Sequence, residues 1–132
     1  MIKTTDLIFI VEDDHAYGRL LEINLKKQGF KNITFFQNEF DCLNSLHRNP
    51  KVIISDYYLR FMSGKKLIKK VKESVSGIYS ILISGVFDNE RYGNEMSIYH
   101  IDKYIVKDEK TIENLLNIMK QWSDPEIVQQ FY

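Results

Sequence analysis

A single cysteine, Cys42, and two prolines are all that this chain of 132 residues contains of either type, and its eighteen basic side chains are cancelled by eighteen acidic ones. Each scarcity removes a class of protein. One thiol cannot close an internal disulfide, which argues against a stapled extracellular scaffold. A net charge of zero supplies no overall field toward nucleic acid or an anionic membrane, so binding specificity must be local. No apolar run reaches membrane-spanning length and no signal-peptide pattern is present, so a cytoplasmic protein without membrane association is expected. The three histidines, His15, His47 and His100, lack metal-ligand spacing. A basic recognition helix is also missing, apart from lysines near residue 70, so DNA binding is not expected.

What is present is an ordinary globular composition, 44% hydrophobic and 27% charged, enough for one domain with one core. Five short β-rich runs recur: residues 7–11, 33–36, 52–55, 80–84 and 103–106. They are continuously apolar and not alternating, as strands covered on both faces of a parallel sheet should be. Segments of helical period lie between and after them, near 15–28, 39–48, 64–75, 88–99 and 109–123. The expected fold class is therefore α/β: a three-layer, doubly wound (βα)5 domain over residues 1–123. In the third helix Leu67, Ile68, Val71 and Val75 share one face and five lysines cover the other, a solvated surface or a docking patch. The fourth, with Gly93 and mediocre helix formers, should be short or mobile. Pro125 and an apolar stripe of Ile127, Val128 and Phe131 make 124–132 a tail that reads as a short helix.

Open parallel sheets carry their sites at the carboxyl ends of the strands, near the switch in strand order. The first strand delivers Glu12, Asp13 and Asp14 there, the third Asp56, the fourth Ser84 and the fifth Lys107. In the flavodoxin-like order 2-1-3-4-5 these groups converge. Clustered carboxylates repel one another unless a cation sits among them. Oxygen donors without histidine or cysteine suit a hard cation such as Mg²⁺. A carboxylate beside such an ion, a lysine and a hydroxyl can also attack phosphorus and form an aspartyl-phosphate. Taken alone, an acidic triplet is more often a helix N-cap cluster than a metal site, and Asp14 is expected to cap the helix that begins at His15.

Residues 6–123, with IVEDD after the first strand, VIISDYYL at the third, SILIS at the fourth and YIVKD at the fifth, resemble the receiver domain of two-component response regulators, CheY-like and of the single-domain type. The resemblance implies that Asp56 is the phosphoacceptor. It implies that Glu12, Asp13 and Asp56 hold Mg²⁺, with Asp13 a direct ligand, joined by the backbone carbonyl of Tyr58. Gly64 matches the family's loop glycine. Ser84 and Lys107 would bind phosphoryl oxygens, and Tyr104 would be the aromatic that turns inward and reshapes the surface of the fourth helix, fifth strand and fifth helix. The implied phosphodonor is a histidine kinase or a histidine phosphotransfer protein, the downstream partner is unidentified, and the state is a monomer or weak homodimer.

Three positions depart from the family pattern. Arg60 stands where proline is usual, Tyr58 is bulky for the position two after the phosphoacceptor, and Asp108 replaces the proline that commonly follows the lysine. A non-proline cis bond costs about 3–4 kcal/mol, so the peptide after Lys107 should be trans, with Asp108 free to cap the last helix. These departures keep open a pseudo-receiver that only binds protein. An aspartate-dependent phosphohydrolase is the remaining alternative, although it needs a second acid/base and a substrate cap.

Overall fold

The apolar runs become strands with nearly the expected boundaries: β1 (Ile8–Val11), β2 (Ile33–Phe36), β3 (Val52–Asp56), β4 (Tyr79–Ser84) and β5 (Lys103–Val106). The structure is a computed structural model describing residues 1–85, 94 and 96–123. All four strand pairings are parallel, and the sheet order is β2-β1-β3-β4-β5. Because β1 lies between β2 and β3, the chain reverses direction of winding at β1 and β3, and a crevice opens at their carboxyl ends.

Both faces of the sheet are covered, which explains the continuous apolar runs. Phe9, Ile53 and Leu82 pack with Leu67, Ile68 and Val71 of α3 (Gly64–Ser74) and with Cys42 of α2 (Glu39–Leu43). Ile8, Ile10, Ile54 and Ile81 face the other way, onto Leu21 and Leu25 of α1 (His15–Lys27) and Leu115 and Met119 of α4 (Thr111–Gln121). Each such side chain contributes roughly 1.5–3 kcal/mol on burial, so the two layers dominate the stability. The termini of the described domain are tied together. Ile2 N–H donates to the Trp122 carbonyl at 2.9 Å, and the Trp122 ring stacks on Tyr79 at 3.8 Å.

Local chemistry sets where helices stop. The segment expected as a helix over 39–48 ends at Leu43, with a separate 3₁₀ turn at Leu46–Arg48 and Asn49 in the left-handed region at φ 59°. Asn44 and Ser45 interrupt it, since short polar side chains compete for backbone hydrogen bonds. Here Ser45 Oγ donates to the Asp41 carbonyl at 2.9 Å. The last helix begins at Thr111 and not at 109. Asp108 does not cap it: its side chain accepts from Lys110 N–H at 2.8 Å, closing the preceding turn, and the N-cap position is Lys110. Of the expected fourth helix, residues 94 and 96–99 are helical and 88–93 and 95 lie outside the described residues, as does the tail at 124–132.

The lysine face of α3 is partly occupied from within. Lys72 Nζ bonds Asp102 at 2.6 Å, and the ammonium groups of Lys65 and Lys69 lie over the Tyr99 ring at 5.1 and 5.9 Å. No described helix is long and apolar enough to cross a membrane.

Candidate functional site

The expected acids do meet at the crevice. Glu12 follows β1 directly, and Asp56 is the last residue of β3. β1 and β3 are neighbours in register, Val11 opposite Ser55, so the two carboxyl groups emerge side by side. Glu12, Asp13 and Asp56 each present a carboxylate oxygen, all within 4.8 Å of one another. Glu12 and Asp56 are buried, at 2% and 8% exposure, while Asp13 is exposed. The triplet divides as its chemistry suggests: Asp14 is the N-cap of α1 and accepts from Tyr17 N–H at 3.2 Å, and Glu12 accepts from Asp14 N–H at 3.3 Å.

Lys107 completes the group from β5. The register puts Ser84 opposite Val106, and the Ser84 carbonyl accepts Lys107 N–H at 2.7 Å, fixing the start of the lysine stem beside the acids. Its ammonium stands 3.7 Å from Glu12 and 3.8 Å from Asp56. It also lies 4.3 Å from the centroid of the Tyr17 ring, a cation–π contact. Tyr17 was not anticipated, because its partner is 90 positions away in sequence; only its place one turn after Asp14 hinted at the crevice.

Burial is the main reason the two buried acids, Glu12 and Asp56, have raised pKa values. Desolvation, then the charge of Asp56, push the Glu12 carboxyl from 4.5 up to about 7, although Lys107 pulls it down. Desolvation likewise raises Asp56, with Lys107 again opposing and Asp13 adding to the rise. Two buried carboxylates, an exposed third and one ammonium leave a deficit of positive charge. A donor set of carboxylate oxygens with no histidine or cysteine fits a hard divalent cation, so the residues present are compatible with Mg²⁺.

The other expected residues fall around this cluster. Ser84 is buried at the end of β4, one residue beyond Ile83, which pairs with Asp56. Tyr58 is 58% exposed, rests its ring on Tyr57 at 4.8 Å and bridges to Ser63 across the loop. Arg60 lies over the Phe61 ring at 5.4 Å. Tyr104 stands in β5 opposite Leu82, half-buried against the α3-side core. The peptide bonds are trans among the described residues, including the one after Lys107. Gly64 has a steric reason: a Cβ there would lie 2.0 Å from the Asp56 carbonyl oxygen, and its N–H donates to the Tyr57 carbonyl at 2.7 Å.

Comparison with known proteins agrees with this arrangement. The family model for the response regulator receiver domain matches residues 8–120. Among solved structures, the response regulator DrrB of Thermotoga maritima, an OmpR/PhoB homolog, is 23% identical, with a TM-score of 0.79 over 89% of this chain and 52% of that one. This chain thus spans about half the length of that protein. The BeF3-activated DrrB receiver domain alone is also 23% identical, with a TM-score of 0.78 over 89% of this chain and 96% of that one. A CheY-like receiver domain protein from Methanospirillum hungatei JF-1 is 21% identical, with a TM-score of 0.78 and 96% of each chain covered. These identities speak for the fold. No curated protein sequence matches the chain.

Proposed function

The chain belongs to the response regulator receiver domain family, and on that footing we propose that it is a phosphorylation-activated switch whose phosphoacceptor is Asp56. The observation that carries the reading is the convergence of Glu12, Asp13 and Asp56 within 4.8 Å, with the Lys107 ammonium 3.8 Å from Asp56. Glu12, Asp13 and Asp56, with the Tyr58 carbonyl, would hold Mg²⁺. When bound, the ion offsets the charge of the acids and of an arriving phosphoryl group.

An Asp56 carboxylate oxygen forms the new P–O bond as the P–N bond of a phosphohistidine breaks. The imidazole leaves with the electron pair and takes a proton from solvent. Lys107 and the Ser84 hydroxyl receive phosphoryl oxygens, and the half-buried Tyr104 follows Ser84 inward, altering the surface around β5. The phosphodonor is a histidine kinase or histidine phosphotransfer protein of the cytoplasm. The reactions it catalyses are its own phosphorylation and dephosphorylation.

Incubation with Mg²⁺ and a small acyl or amido phosphate, followed by intact mass, tests this. One added phosphoryl group is expected, absent in Asp56→Asn. No adduct in the parent under any condition would leave the fold as a protein-binding module alone.

A further inference from the structure

Glu39, the first residue of α2, is completely buried, an expensive place for a carboxylate unless it has fixed partners. Its partners come from the far side of the crevice. Oε2 accepts both the Phe61 and the Met62 backbone N–H groups, each at 2.7 Å, across 22 and 23 residues of sequence. Bonds of that length to an ionised acceptor are of the strong, charge-assisted kind. Its other oxygen, Oε1, accepts no hydrogen bond from any described residue. The carboxylate is therefore spent on one segment, the β3–α3 loop.

Elsewhere the loop is tied by backbone at its base, and the side chains of Leu59 and Met62 pack partly against the core. Tyr57 and Gly64 close its base through the 2.7 Å bond, and Tyr58 bridges to Ser63. Between those ends Phe61 is 59% exposed, and this part of the loop would sample more positions if its amides faced only water. The adjacent residue of α2 adds a second grip, since the Phe40 ring lies 5.3 Å from that of Phe61. α2 thus clasps the middle of the loop that runs on from Asp56.

We propose that Glu39 is a positioning residue: it holds the 57–63 loop in the geometry from which Tyr58 serves the cation site. This rests on the metal reading above and extends it to a residue that touches neither ion nor substrate. Glutamine keeps an oxygen able to accept both N–H groups, whereas alanine removes the acceptor and leaves both part-buried donors without it.

Hydrogen exchange of the Phe61 and Met62 amides in metal-free protein, with a calorimetric Mg²⁺ titration, tests the idea in the parent, Glu39→Gln and Glu39→Ala. The expected result is exchange about tenfold faster and an Mg²⁺ Kd raised several-fold in Glu39→Ala, both returning to within about twofold of the parent in Glu39→Gln. Unchanged Mg²⁺ affinity in Glu39→Ala, in a parent that binds the ion, overturns the positioning role and leaves the metal site standing. A parent that binds no Mg²⁺ overturns both, and the amide exchange still reads the clasp itself. Should Glu39→Ala fail to fold, an Mg²⁺ affinity in Glu39→Gln as weak as that of Asp13→Ala, with both amides still protected, would also overturn the proposal.

Discussion

Asp102, just before β5, and Asp56, the last residue of β3, stand at opposite ends of the same parallel sheet. Asp102 is engaged by its own fold: one oxygen accepts from Ser80 N–H at 2.9 Å, Ser80 Oγ at 3.1 Å and Lys72 Nζ at 2.6 Å. Asp56 and Glu12 share one ammonium at 3.7–3.8 Å, longer than a hydrogen bond, and both have raised pKa values. An acid whose oxygen is held at hydrogen-bond distance by donors of two other elements is a brace between them. Acids buried together and only loosely paired retain capacity for a cation from outside.

The largest break in this contrast is expected from Asp13→Ala, which should abolish Mg²⁺ binding by calorimetry. Its neighbour variant Asp14→Ala should bind the ion normally and lose only about 1 kcal/mol through the lost helix cap. Equal loss of binding in both would erase the division of the triplet.

Next in size is the pH dependence of Glu12→Gln without metal. The folded-state pKa of about 7 lies above the ordinary 4.5, so the folded protein holds the proton more tightly than the unfolded chain. Stability therefore falls as pH rises between those values. Glutamine escapes that loss. Urea denaturation should find the variant more stable by about 2 kcal/mol at pH 8, with the difference vanishing below about pH 4.5 and shrinking when Mg²⁺ is added. A variant less stable than the parent at pH 8 would mean that Glu12 is a brace after all.

The smallest effect should come from Asp102→Asn, about 1–2 kcal/mol of stability from weakened bonds to Lys72 and Ser80, with Mg²⁺ affinity untouched. A change in ion affinity would show that the two ends of the sheet communicate.

Much of this was legible from the chain. The strands declared themselves because parallel strands buried on both faces must be apolar throughout, and the acids, Ser84 and Lys107 followed from where those strands end. The misjudged boundaries lay where side chains compete with the helix, at Asn44, Ser45 and Asp108. Glu39 and Tyr17 left no local signal. One grips amides more than twenty residues on and the other lies beneath a lysine from the far strand, and such pairings exist only after the layers have stacked.

At Gly64, bare backbone of α3 rests on bare backbone of β3, with no room for even one methyl group between the helix and the Asp56 carbonyl. In mechanical terms this is a rod butted against a plate without a cushion. A side chain would absorb small displacements by changing rotamer; here none intervenes. The first turn of α3 and the backbone of residue 56 are thus in direct contact, with no rotamer between them to take up a displacement.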